Sequence, residues 1–164
     1  MHVYRLCRTQ YPAFDGEGAS RFGGRWNSKG NRVIYASENR SLDVLEILDH
    51  LSDDLPDQYV LASAEVPEGL HVESVIEREL AEKWGPLSVA EQQPTREIGD
   101  RWLRQGSSAV LSVPSVVSGE RNFLVNPAHP EFARITLHDA VPFRLDVRLL
   151  KTAQSAEVQK TVQH

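Results

Sequence analysis

Between Gly16 and Gly30 the chain reads Gly-Glu-Gly-Ala-Ser-Arg21-Phe-Gly-Gly-Arg25-Trp-Asn-Ser-Lys29-Gly, five glycines among three cations and one acid, Glu17. Glycine lets a backbone bend sharply and come close to a ligand. A guanidinium is planar, permanently charged and matched to phosphate oxygens. The stretch therefore fits a loop that holds a phosphorylated small molecule, and equally a solvated hairpin with scattered charge. Two standard phosphate motifs fail in it. The dinucleotide fingerprint needs a third glycine where Arg21 stands, and a P-loop needs Lys-Ser or Lys-Thr where Gly24-Arg25 stands.

The other candidates are bland when taken singly. Glu46 shares the polar side of a helical pattern with Asp43, Asp49 and His50, which reads as a solvated face. Tyr35 reads as a core aromatic whose hydroxyl finds a partner. Ser115, after Val113-Pro114, reads as a turn residue, and Arg5 as a charge on an edge strand. Cys7 is the only cysteine, which excludes an internal disulfide and a cysteine-rich zinc site. It reads as a small buried hydrophobe. His2, His50, His71, His129, His138 and His164 form no H-E-x-x-H pattern, so no metal centre is expected. His129, flanked by turn prolines, reads as a turn residue with a satisfied side chain.

These residues need elements to place them. Val3–Arg8 reads as a strand, with Val3, Arg5 and Cys7 on one face. The glycine-rich stretch follows as a loop, then Arg32–Ser37 as a strand rich in β-formers. Ser41 is the expected N-cap of a helix from Leu42 to about Ser52, with Val44, Leu45, Ile47, Leu48 and Leu51 as its apolar stripe. A turn is expected at Asp53–Asp57, a strand at Tyr59–Val66, a turn at Pro67-Glu68-Gly69 and a helix over residues 74–84. Thr95–Gln105 reads as a helix with Ile98, Trp102 and Leu103 inward and Gly106 at its C-cap. Strands are expected at Ala109–Val113, Phe123–Val125, Arg134–Leu137 and Phe143–Val147, with a turn over Asn126–Pro130. Lys151–His164 has no apolar period and reads as a polar, mobile tail. The order fits a single α+β domain over residues 1–150 with a mixed or largely antiparallel sheet.

Composition narrows the class of partner. With 164 residues and 40% hydrophobic content, the chain can bury one core. A net charge of −5 argues against a general nucleic-acid surface. Positive charge is local instead, in Arg21, Arg25, Lys29 and Arg32, which suits a small anion better than a polymer. No apolar run is long enough for a membrane span, and no signal-peptide core is present. A cytoplasmic protein is expected.

The candidates also stand in a telling order: Tyr4-Arg5, Gly-Gly-Arg25-Trp-Asn, Val33-Ile-Tyr35-Ala-Ser, Ser41-Leu-x-x-Leu-Glu46, Val113-Pro-Ser115 and Asn122-Phe-Leu-Val-Asn126-Pro-x-His129-Pro. This order resembles the RES-domain family, named for its arginine, glutamate and serine, over residues 3–150. The resemblance implies a toxin paired with an Xre-type antitoxin that blocks its active site and binds DNA, so that DNA is met only indirectly. It further implies an ADP-ribosyltransferase-like mixed sheet with flanking helices, and cleavage of NAD+ at the nicotinamide–ribose bond. NAD+ is then the substrate, with no cofactor and no metal. Arg25, Glu46 and Ser115 match the motif residues, and Arg5 and Tyr35 match further pocket positions. Glu46 is expected to stabilise the ribosyl cation, Arg5 and Arg25 to hold the pyrophosphate, Tyr35 to stack on nicotinamide, and Ser115 to bond nicotinamide or ribose. Acceptors other than water remain open: phosphate, or a protein as in mono-ADP-ribosylation. A non-catalytic nucleotide-binding module is the alternative from another class.

Overall fold

Alternating apolar side chains build a sheet that is buried on both faces. In the computed structural model, which describes residues 1–49, 58–80 and 92–144, the elements are β1 (His2–Arg8), α1 (Glu17–Phe22), β2 (Ile34–Ser37), α2 (Arg40–Asp49), β3 (Tyr59–Glu65), β4 (Val72–Ser74), α3 (Gln93–Gln105), β5 (Val110–Pro114), β6 (Arg121–Val125), β7 (Thr136–Leu137) and β8 (Val141–Phe143). The eight described strands form one sheet in the order β4-β5-β6-β2-β1-β3-β7, with β8 also paired to β3. Every pairing is antiparallel except β4 with β5. The domain is thus α+β with a mixed sheet, as expected.

Period two divides each central strand between two clusters. Val3, Ile34, Ala36, Val110, Phe123 and Val125 pack on one face. Trp26, Val33, Leu111, Val113 and Leu124 pack on the other, where α3 adds Trp102. A third cluster, Leu6, Tyr59 and Leu61, receives Val44 from α2. Arg5 accordingly lies on an interior strand between β2 and β3, not on an edge.

Several local expectations are corrected. The glycine-rich stretch is not all loop, because Glu17–Phe22 winds into a short helix between Gly16 and Gly23, both at positive φ. Asn39, not Ser41, caps α2: its Oδ1 accepts from Leu42 N at 2.9 Å, and Ser41 is exposed. Leu45, expected in the apolar stripe, is 42% exposed, while Asp43, expected in solvent, is 7% exposed. The described part of residues 74–84 is the end of β4 and a 3-10 turn at Glu77–Glu79, not an α-helix. Pro130–Arg134 is also a 3-10 turn, which delays and shortens the strand expected at Arg134–Leu137. The last strand begins earlier than expected, at Val141. The turn at Asp53–Asp57, the end of the residue 74–84 segment, residues 145–147 and the tail beyond Leu150 lie outside the described residues.

The α3 expectation holds. Gly106 closes it in the left-handed region at φ 58°, its N–H donating to the Trp102 carbonyl. His129 also behaves as read, with Nδ1 accepting from Glu131 N at 3.1 Å at the start of the 3-10 turn.

Candidate active site

The cleft opens where β1 and β2 part. Their register holds at one pair, Tyr4 opposite Ser37. Two residues further, an antiparallel ladder would set Leu6 against Tyr35 and join the Leu6 N–H to the Tyr35 carbonyl. The register stops short of that pair. The Leu6 N–H donates to Asp43 Oδ2, and the Tyr35 carbonyl accepts from Arg5 Nη1 at 2.8 Å. Buried backbone groups must be paired, and here the Asp43 carboxyl and the Arg5 guanidinium stand in for the missing ladder bond. Arg5, Leu6, Tyr35, Ala36, Ser37 and Asp43 all line the resulting cavity of about 550 Å3.

The far wall is the glycine-rich stretch, and α3 holds it in place. Thr95 Oγ1 donates to the Arg25 carbonyl at 2.6 Å, and Arg96 Nε donates to the Gly24 carbonyl at 2.9 Å. Asp100 Oδ1 accepts from Ser28 N at 2.9 Å and Asn31 Nδ2 at 2.7 Å. Burial alone would raise the Asp100 pKa, but these hydrogen bonds outweigh it and hold the carboxyl below its ordinary value. Tyr35 supports the same wall from the sheet. Its hydroxyl donates to Asn27 Oδ1 at 2.7 Å and accepts from Trp26 N at 3.0 Å. Burial pushes that phenol's pKa well up, so it stays neutral. Glycine is required at position 24, since a Cβ there would stand 2.4 Å from the Tyr35 hydroxyl oxygen.

Of the four cations in residues 16–32, only Arg25 lines the cleft. Arg21 and Arg32 both pair with Glu17 at the surface, at 3.0 and 2.8 Å, and Lys29 is exposed. The local basic cluster read from the sequence thus faces largely outward. Positive charge in the cleft comes instead from Arg5, Arg25 and Arg96. Arg5 Nε is buried without a hydrogen-bond partner, the one such side-chain atom among the described residues. A buried unpaired donor is costly, and a ligand oxygen would satisfy it.

Glu46 lines the same cleft. Glu46 Oε1 accepts from Ser115 Oγ at 2.7 Å and from Asn122 Nδ2 at 2.7 Å. Ser115 is also the turn residue expected of it, since its Oγ accepts from Val117 N at 3.1 Å. Asn122 Oδ1 accepts in turn from Ser37 Oγ at 3.0 Å. The fold therefore brings Arg5, Arg25, Tyr35 and Glu46 to one cleft, with Ser115 bonded to Glu46 at its wall. Asp43, Arg96 and Asn122 were not among the sequence candidates. Asp43 stands three positions before Glu46 and so shares its side of the helix; Asn122 opens the Asn-Pro motif. Arg96 carried no signal, because only tertiary docking brings it to the loop. Among the described residues, no group of three His, Cys, Asp or Glu side chains could hold a metal ion. Cys7 is half-buried, and burial raises its thiol pKa. No helix of the described residues is long and apolar enough to cross a membrane.

Comparison with known proteins adds the lineage. The RES domain family model matches residues 2–146. A protein of Photorhabdus laumondii subsp. laumondii named "Toxin Res" is 35% identical over 156 residues, covering 92% of this chain and 98% of the relative. A Sphingobium sp. protein named "Prs ADP-ribosylating toxin" is 36% identical over 145 residues, covering 84% and 87%. The crystal structure of the M. tuberculosis MbcT–MbcA toxin–antitoxin complex contains a similar chain, with a TM-score of 0.70 at 20% identity over 94% of this chain and 88% of that one. That likeness bears on the fold alone. With the family model matched over nearly its whole length, the chain belongs to the RES-domain family.

Proposed function

We propose that the chain is the toxin of a toxin–antitoxin pair and cleaves NAD+ at the nicotinamide–ribose bond. The observation that carries this reading is the Glu46 carboxylate, fixed by Ser115 and Asn122 in a cleft that Arg5, Arg25 and Arg96 also line. A dinucleotide needs cations for its pyrophosphate and an anion for the charge that develops on ribose. Both line this cleft.

In this reading the guanidinium groups of Arg5 and Arg25 bind the pyrophosphate through charge-assisted hydrogen bonds. The C–N bond to nicotinamide breaks, and its electron pair leaves with the ring, which becomes neutral. Positive charge passes to the anomeric carbon and ring oxygen, as in other glycosyl cleavages. Glu46 stabilises that charge, an electrostatic contribution of about 3 kcal/mol in a dry site. Water then adds to the anomeric carbon and gives its proton to solvent. No metal and no further cofactor enters the scheme.

Incubation of the purified protein with NAD+ tests it. Nicotinamide and free ADP-ribose should appear in equal amounts. A second reading, transfer of ADP-ribose to a protein, is favoured by the name of the Sphingobium relative. It predicts nicotinamide without matching free ADP-ribose, and label retained on an added target. Phosphorolysis would give ADP-ribose-1″-phosphate only when phosphate is supplied. Binding without nicotinamide release would leave a non-catalytic module. The partner in this reading is an Xre-type antitoxin that covers the cleft, and the setting is the cytoplasm. Co-expression with such an antitoxin should restore growth.

A further inference from the structure

Asn122 lines the cleft, and the chemistry above leaves its second hydrogen bond unused. Its Nδ2 donates to Glu46 Oε1 while its Oδ1 accepts from Ser37 Oγ. Ser37 is 2% exposed and also approaches Asp43 Oδ1 at 3.3 Å. A serine hydroxyl has one proton, so Ser37 donates either to Asn122 or to Asp43. The choice is set by Asp43. Its Oδ2 is occupied by the Leu6 N–H, which leaves Oδ1 as the oxygen that can carry a proton toward Ser37.

With Asp43 protonated, the bonds run in one direction. Asp43 donates to Ser37, Ser37 to Asn122, and Asn122 to Glu46. Every group in the line is then satisfied. With Asp43 ionised, its carboxylate competes for the Ser37 proton with the strength of a charge-assisted bond. Asn122 Oδ1 then faces a lone pair, and its amide loses the contact that fixes its plane.

We propose that Asn122 is a positioning residue for Glu46, and that Ser37 and Asp43 form a relay whose direction sets how firmly Asn122 holds that carboxylate. The consequence for turnover rests on Glu46 stabilising the ribosyl cation, as proposed above; the relay itself does not. Burial raises the Asp43 carboxyl to about 7, against the opposing pull of the Leu6 N–H, Arg5 and Ser37, with a further upward push from Glu46. The groups facing it are thus Leu6, Arg5 and the Cys7 thiol from β1, Ser37 from β2, and Glu46 from its own helix. The relay reverses near neutral pH.

The experiment follows the side-chain amide resonances of Asn122 in 15N-labelled protein from about pH 5 to about pH 9, beside the pH profile of nicotinamide release. In wild type the amide signal should move with a midpoint near 7, and kcat should fall roughly tenfold across it while KM stays within about twofold. Asp43→Asn presents a permanent donor to Ser37, so the amide signal and kcat should both lose this titration. Ser37→Ala cuts the line and should uncouple Asn122 from Asp43; it serves as the second variant if Asp43→Asn does not fold. An Asn122 amide that is static in wild type, or that titrates equally in Ser37→Ala, overturns the relay whatever the activity. If wild type releases no nicotinamide but its Asn122 signal titrates and Ser37→Ala abolishes this, the functional reading falls and the relay stands.

Discussion

Arg5 and Asp43 take the two ends of a backbone hydrogen bond that the sheet does not make. Asp43 accepts the Leu6 N–H, Arg5 donates to the Tyr35 carbonyl, and the cleft lies in the gap they hold open. Arg5→Ala should therefore do two things. It removes a cation from the site and leaves the Tyr35 carbonyl without its partner. We expect a stability loss of about 1–3 kcal/mol in urea unfolding, together with a raised KM for NAD+. A variant as stable as wild type would mean that the strands can close without the wedge.

Glu46→Gln keeps the shape of the side chain and removes its charge. Only stabilisation that is stronger at the transition state raises kcat. The substitution should lower kcat roughly a hundredfold or more, by analogy with the loss of one preorganised electrostatic group. NAD+ affinity and solubility should change little, and toxicity in cells should be lost. A wild-type rate of nicotinamide release from Glu46→Gln would remove the carboxylate from the chemistry.

Arg25→Ala should act on binding. The Arg25 backbone is anchored independently, through its carbonyl to Thr95, so the loop should keep its course when the side chain is shortened. Losing one charge-assisted contact predicts a KM raised about tenfold to a hundredfold, with kcat much less affected. Unchanged kinetics would place the pyrophosphate elsewhere in the cleft.

Gly99 tests whether α3 sets the position of that loop. A Cβ at this position would stand 1.8 Å from the Trp26 carbonyl oxygen, a backbone atom that cannot swing aside. Gly99→Ala improves helix propensity, yet it should destabilise the protein by about 1–3 kcal/mol through overpacking. It should also raise KM by moving Arg25. A melting temperature above wild type would show that the helix and loop are not in firm contact.

How much of this was legible in the sequence follows from what each signal rests on. Strands were readable because apolar runs rich in β-branched residues, such as Val33-Ile34 and Val110-Leu111, face buried surface on both sides. Helix α3 was readable from its 3.6 period and from Gly106. The start of α2 was not legible because Ser41 and Asn39 are both good caps, and only the structure decides between them. Periodicity places Asp43 in solvent, because a buried carboxylate breaks the apolar pattern of a helix face. Arg25, Glu46 and Ser115 stand out through the order of the family motif and not through spacing: Glu46 and Ser115 are 69 positions apart. The cations were counted correctly but not their directions, because Glu17 draws Arg21 and Arg32 outward.

Asp43 makes a prediction about stability that is separate from turnover. Its folded-state pKa is about 7, against an ordinary value of 3.8. Below the ordinary value the carboxyl is protonated in both folded and unfolded chains, and the group has no pH effect. Between 3.8 and about 7 the folded protein keeps the proton that the unfolded chain releases. The unfolded state then binds fewer protons, so stability falls as pH rises through this window. Above about 7 both states are ionised, and the full cost of the buried charge remains. A shift of three units corresponds to at most about 4 kcal/mol. Asp43→Asn can still accept the Leu6 N–H and never ionises. Its urea-unfolding free energy should lack this decline, so the variant should gain on wild type steadily from about pH 4 to about pH 7 and hold a constant lead above that. Parallel stability curves for the two proteins across that range would mean that Asp43 is ionised in the folded chain throughout, with Arg5 neutralising it.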